Sequence, residues 1–203
     1  MSSIIRPLVR RALERAGLVA IAERALAGAS LETSELEQLR RADVLAVAAL
    51  ADLVRERTQG ELVTLVDLGV SAESALGEVA WARPLLGASE GLTGLDALRE
   101  VALVRLSTPA DRAVAVSFDL LGEGLAQAAL TFGASVLVGT MTRRSTLPLA
   151  DDAGARAKKA DLLGRVQRAR RQARWLDAQA TTEAATTEAT PSSAAHPPSG
   201  VSP

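Results

Sequence analysis

The fold is decided by residues 114–141, which read VAVSFDLLGEGLAQAALTFGASVLVGTM. A β-branched run at 114–118 and a second one at 135–141 predict two short strands. Between them, residues 123–132 have the pattern of a helix, and Gly133 follows in the position where glycine most often ends one. A strand, a helix and a strand in this order, joined by a tight glycine turn, form a βαβ unit. The stretch therefore predicts an α/β fold with a parallel sheet.

The chain before this unit begins with helices. Apolar residues at helical spacing predict a first helix over 5–26. Ser34 and Glu37 have the spacing of a capping box and predict a short helix. Asp43 is a suitable cap for a longer helix that precedes the first strand. We therefore expect a helix-rich N-terminal segment over residues 1–60.

A second segment, residues 61–150, contains the predicted strands. The first of them is 62–66, a short β-branched run between glycines. Helices are predicted over 72–82 and 95–106, with a glycine-rich loop at 87–94 before the second helix. All three strands are apolar at successive positions, which is typical of a parallel sheet covered on both faces.

The end of the chain divides into two parts. One helix is expected from residue 152 to about residue 178, with an apolar stripe opposite a basic face, so residues 151–178 are predicted to be a basic amphipathic helix. Residues 179–203 consist largely of Thr, Ala, Ser and Pro without periodicity. Such a segment buries too little apolar surface to offset its chain entropy, and we expect a disordered tail.

Composition excludes several kinds of chemistry. The 203 residues contain no cysteine and one histidine, His196 in the predicted tail. Disulfides, thiol nucleophiles and cysteine-based zinc sites are therefore excluded. The net charge of −1 argues against a globally basic nucleic-acid binder. No apolar run reaches the ~18 residues that a membrane span needs, and we expect a cytoplasmic protein without a span.

Two blocks of sequence are more specific than their secondary structure requires. The first, within 27–66, includes ADLVR at 51–55 and GELVT at 60–64. The second includes GLDALR, VALVRL, LGEGLAQAALTFGA and a final GT, at 94–99, 101–106, 121–134 and 139–140. Together they resemble the opening and closing parts of the radical S-adenosylmethionine enzymes of the futalosine menaquinone pathway. That group includes aminofutalosine synthase, dehypoxanthine futalosine cyclase and deazaflavin synthase.

The resemblance implies a (βα) barrel whose middle is missing. In that family, a CxxxCxxC motif directly after the first strand binds a [4Fe–4S] cluster, which cleaves S-adenosylmethionine. Here the strand leads into residues 67–71, DLGVS. Only about two dozen residues separate it from Gly91, an interval in which the family has most of its barrel. A complete barrel needs roughly 200 residues. The last strand, SVLV at 135–138, also lacks the acidic residues that the family usually has there. The resemblance thus implies a partial parallel-sheet barrel remnant without cluster or S-adenosylmethionine.

Two residues are candidates for a vestigial substrate site, and none for catalysis or metal binding. Gln127 matches the family run and could face a substrate pocket, although a helix often carries such a residue on its surface or at a cap. Thr140 follows Gly139 at the end of a strand, where α/β proteins bind ligands, although many such residues only form turns.

We therefore expect a non-catalytic, degenerate relative of these enzymes that acts as an accessory or interaction protein linked to menaquinone biosynthesis. A shortened barrel leaves sheet edges and apolar faces open. These predict a homo-oligomer, or a complex with a full-length radical S-adenosylmethionine paralogue. One alternative is the substrate-binding half of a split enzyme of menaquinone or deazaflavin precursor synthesis. Another is a nucleic-acid-binding protein that uses the basic C-terminal helix.

Overall fold

The computed structural model describes residues 7–67, 79–82, 93–142 and 157–176. Five parallel strands form one sheet, namely β1 Leu62–Asp67, β2 Val79–Trp81, β3 Ala113–Ser117, β4 Val136–Gly139 and β7 Gln172–Trp175. Their order across the sheet is β2-β3-β4-β1-β7. Two further strands, β5 Met141–Thr142 and β6 Ala157–Lys158, form a separate parallel pair. The predicted α/β fold with a parallel sheet is confirmed.

Seven helices lie within the described residues. Four precede the sheet, namely α1 Pro7–Arg15, α2 Val19–Leu26, α3 Thr33–Arg41 and α4 Val44–Gln59. Three alternate with later strands, namely α5 Gly94–Ser107, α6 Phe118–Ala129 and α7 Lys159–Arg168. The prediction of a helix-rich N-terminus is confirmed. None of these described helices is long and apolar enough to cross a membrane.

Local chemistry sets most helix ends. The Asp43 carboxylate accepts a hydrogen bond from the Ala46 amide at 3.0 Å, so this predicted cap is confirmed. The predicted first helix is divided at Gly17, whose φ of 67° places it in the left-handed region. The capping box of α3 is formed by Glu32 and Glu35, two residues earlier than predicted. Glu32 and Glu35 satisfy each other's backbone amides, which fixes the start of this helix.

Two helix predictions are wrong in part. The predicted helix over 72–82 is a strand at Val79–Trp81, which pairs with β3, while 72–78 lie outside the described residues. The predicted helix over 152–178 is helical only at 159–168. It ends at Arg168, Arg170 then has a left-handed φ of 56°, and the chain pairs with β1 as β7. In both places, pairing with a distant strand outweighed a helical pattern. The predicted tail, residues 179–203, also lies outside the described residues.

The two faces of the sheet are buried differently. Alternate residues of β1, β3 and β4 pack beneath the helices in the main core, and these are Val63, Leu65, Val114, Val116 and Leu137. The residues between them point to the opposite face. There Val66, Ala115, Val136 and Val138 form a second, smaller cluster, against which Val79, Trp81, Ala113 and Leu176 pack. Among the described residues, this second cluster contains no helix residue, and we call its side of the sheet the helix-free face.

Candidate functional site

Arg105, within the second motif block, is fully buried near the amino edge of the sheet, with 0% of its surface exposed. Its guanidinium donates hydrogen bonds to the backbone oxygens of Thr108, Pro109 and Arg112 at 3.0, 2.8 and 2.7 Å. These three carbonyls lie in the turn that follows α5, and the buried guanidinium supplies them with charge-assisted hydrogen bonds. Burial lowers the pKa of Arg105 below its ordinary value, and the charge of Arg55 lowers it further, while Asp111 opposes both. Arg105 thus ends α5 and fixes the turn into β3.

Arg55, within the first motif block, is also fully buried. It donates to the Asp52 carboxylate at 2.9 Å and to the Gly60 carbonyl. Asp52 accepts two further hydrogen bonds from Arg171, both at 2.8 Å. One carboxylate therefore connects α4 to the start of β7. We call Asp52, Arg55 and Arg171, together with Arg105, whose charge Arg55 opposes, the arginine network.

Gly133 joins the second motif block to this network. Its φ of 98° favours glycine, and a Cβ there would lie 2.7 Å from Arg105 Cγ and 3.2 Å from the Ala51 Cβ. Real Cβ atoms do not approach carbon so closely, so a side chain at this position would displace Arg105. The sequence features ADLVR, VALVRL and FGA therefore meet in one packed unit.

The two predicted site residues lie in different places. The Gln127 side-chain oxygen, on α6, accepts a hydrogen bond from Arg165 of α7 at 3.4 Å, and Arg165 also pairs with Glu123 at 2.5 Å. Thr140 follows β4 at the carboxyl edge, where its amide donates to the Asp119 carboxylate at 2.8 Å. No hydrogen bond or ion pair among the described residues joins Gln127 to Thr140. Gln127 takes part in helix packing, and Thr140 lies at the edge where parallel sheets bind ligands.

A cavity of about 170 Å³ opens on the helix-free face. All five strands of the sheet line it or lie beside it, including both edge strands, β2 and β7. The lining residues are Gln59, Leu62, Thr64, Val79, Ala113, Ser135, Val136, Arg174 and Leu176. Polar and apolar atoms contribute about equally to its walls, and among the described lining residues Arg174 carries the one charge.

Sequence reasoning missed Arg174 as a site residue, because it assigned this arginine to the basic face of a helix. In the structure, strand register places Arg174 directly beside Thr64 of β1. Its guanidinium donates to the Thr64 hydroxyl at 3.4 Å, and no carboxylate within the described parts of the chain pairs with it. The signal that could have revealed this is the sequence QARW at 172–175, where polar and apolar residues alternate with the period of a strand.

The donor set does not fit the cluster that the family resemblance implies. The strand that precedes the family's cysteines ends here at Asp67, and the chain has no cysteine that could supply a thiolate. Within the described ranges, no group of three His, Asp or Glu residues could hold a metal ion. No family model matches this chain, and no curated protein matches it.

Proposed function

We propose that this chain is a cytoplasmic, non-catalytic relative of the radical S-adenosylmethionine enzymes of the futalosine pathway, acting as an accessory or interaction protein. One observation carries the proposal, the pairing of β1 with β4. β1 resembles the family's first strand and β4 its last, and they pair in parallel from Thr64 with Val136 to Asp67 with Gly139. In a closed barrel the last strand returns beside the first. Removing the middle of a barrel leaves these two strands as neighbours.

The shape of the helix-free face also supports a partial barrel. In a flat five-stranded sheet, the two edge strands would lie about 19 Å apart, at roughly 4.8 Å per strand. Here Val79 of β2 and Arg174 of β7 line one cavity of about 170 Å³. This is expected of a sheet that curves toward that face, while its helices lie on the other side. A barrel has the same arrangement, with side chains inside and helices outside.

The residues that remain from the family motifs favour a non-catalytic role. Asp52, Arg55, Arg105 and Gly133 bind backbone or pack against one another. The cluster-binding thiolates, which carry the radical chemistry, are absent from the sequence. The chain has therefore kept the packing of the fold without the ligands for the reaction.

Reconstitution tests the non-catalytic part. The full chain is incubated anaerobically with iron, sulfide and S-adenosylmethionine, beside a relative that carries CxxxCxxC as the positive control. We expect no stoichiometric iron and no cleavage of S-adenosylmethionine by this chain. A brown holoprotein that cleaves S-adenosylmethionine unaided contradicts the proposal.

Association tests the interaction part. Two edge strands, β2 and β7, end the described sheet, and exposed strand edges tend to pair with other chains. We expect light scattering at micromolar concentration to give a mass above that of the 21.1 kDa chain, or co-purification with a cluster-bearing paralogue from the same genome. A stable monomer that retains no such paralogue contradicts this part.

The carboxyl edge favours a second candidate, the substrate-binding half of a split enzyme. Thr140 and Asp119 hydrogen-bond to each other at the ends of β4 and β3, where α/β proteins place ligands. A futalosine-type ligand that binds the native state must then raise the melting temperature. No shift, with or without a cluster-bearing partner, contradicts this candidate.

A further inference from the structure

The cavity on the helix-free face lies away from the carboxyl edge. Leu62, Val79 and Ala113 line it, and they are the first residues of β1, β2 and β3. Thr140 and Asp119, in contrast, follow the last residues of their strands. The cavity is therefore a separate place in the fold from the carboxyl edge.

About half of the cavity wall is aliphatic, and the other half is polar. The aliphatic half comes from Leu62, Val79, Val136, Leu176 and Ala113, and no aromatic side chain of the described residues lines the cavity. An aromatic ligand would find no ring to stack on, whereas a branched alkyl group can fill such a wall by dispersion contacts. A cavity of about 150 Å³ can hold benzene, so about 170 Å³ accommodates a short branched alkyl group of roughly five carbons.

The polar groups of the cavity differ in how many hydrogen bonds they already make within the protein. The Gln59 amide donates to the Ala110 carbonyl at 3.2 Å, and the Ser135 hydroxyl accepts from the Val114 amide at 3.3 Å. Arg174 has only a long hydrogen bond to Thr64 and pairs with no carboxylate of the described chain. A guanidinium has five N–H donors in a planar fork, which matches a carboxylate. Arg174 and Thr64 can therefore bind the charged end of a ligand.

We propose that this cavity binds a small branched aliphatic carboxylate, with its carboxylate on Arg174 and Thr64 and its alkyl group against Val79, Val136 and Leu176. This goes beyond the proposed function and does not depend on it. The site combines one cation with a partly apolar wall, so both ends of the ligand contribute to affinity.

Calorimetric titration of the full chain tests the proposal with three compounds. Isovalerate has both parts, acetate has the charge without the branched group, and 3-methylbutanol has the branched group without the charge. We expect saturable binding of isovalerate and binding at least about tenfold weaker for the other two, because each lacks one contribution. No saturable binding of isovalerate, or equal binding of acetate, overturns the proposal.

Two variants locate the site. Arg174→Gln should weaken isovalerate binding about tenfold or more, since a charged hydrogen bond is lost. Arg168→Gln removes an exposed arginine of α7 that does not line the cavity, and it should bind like the wild type. If Arg174→Gln does not fold, Ala113→Leu fills the cavity from the opposite wall and should abolish binding. Unchanged isovalerate binding in the folded variant overturns the proposal.

Discussion

Arg105 and Arg174 show two different uses of the same side chain. Arg105 is fully buried, and three backbone oxygens accept hydrogen bonds from it. Arg174 is exposed on an edge strand and has one long hydrogen bond. Arg105 belongs to a motif on which the family resemblance depends, and Arg174 does not. The comparison teaches that the recognisable motifs of this chain report on packing, while its best candidate binding group lies outside them.

Replacing each arginine by alanine tests that comparison, and the difference in stability between the two variants should be the largest effect predicted. Arg105→Ala leaves three backbone oxygens without their donor and a cavity beside Gly133, so we expect the free energy of unfolding to fall by about 3 kcal/mol or more. Arg174→Ala should change it by no more than about 0.5 kcal/mol, because exposed side chains contribute little. Urea denaturation measures both. Similar losses in the two variants would show that Arg174 is also structural.

A glycine pair sharpens the comparison at the arginine network. Gly133→Ala and Gly28→Ala both place a side chain at positive φ, which costs about 1 kcal/mol. A Cβ at Gly133 also meets Arg105 at 2.7 Å, whereas nothing lies within 4 Å of one at Gly28. We expect Gly133→Ala to lose a further 1–3 kcal/mol or so through overpacking. Equal destabilisation in chemical unfolding would mean that Arg105 moves aside without cost.

The smallest effect concerns a helix cap on the surface. The Thr93 hydroxyl and, next, the Thr93 amide donate hydrogen bonds to Asp96 at 2.7 and 2.9 Å and lower the pKa of that carboxyl. A lowered pKa in the folded state stabilises the protein above the unfolded pKa of about 4, and this stabilisation is lost as the pH falls through the folded value.

Melting temperatures of the wild type and Asp96→Asn should therefore differ slightly at neutral pH. The difference should shrink as the pH falls below about 4 and through the lowered pKa of the folded carboxyl, where Asp96 becomes protonated. A difference that grows on acidification would contradict the cap as its source.

The sequence predicted the central strands closely and the edge strands poorly. Residues 62–66, 114–118 and 135–141 were predicted as strands, and the structure has them at 62–67, 113–117, and 136–139 with 141–142. Each is a β-branched run buried on both faces, a pattern that local sequence carries. Val79–Trp81 and Gln172–Trp175 were predicted as helical. They are three and four residues long, and pairing with β3 and β1 decides their conformation.

The sequence also predicted the candidate site residues only in part. It selected Gln127 and Thr140 because they match a motif, and the structure places one against α7 and the other at the carboxyl edge. It could not identify Arg174, because the direction of that side chain depends on the register between β7 and β1. Register is a relation between distant parts of the chain, and one strand read alone does not contain it.

By itself, the sequence determined which segments can be helix or central strand, and which chemistry is closed to the chain. Capping residues, glycines, apolar periodicity and the lack of cysteine act locally or through composition, so they can be read directly. Only the tertiary structure decided that Arg105 is buried and that Arg174 reaches a cavity. Both outcomes depend on contacts between residues far apart in sequence. The energies of these contacts exceed the weak local conformational preferences of the segments involved.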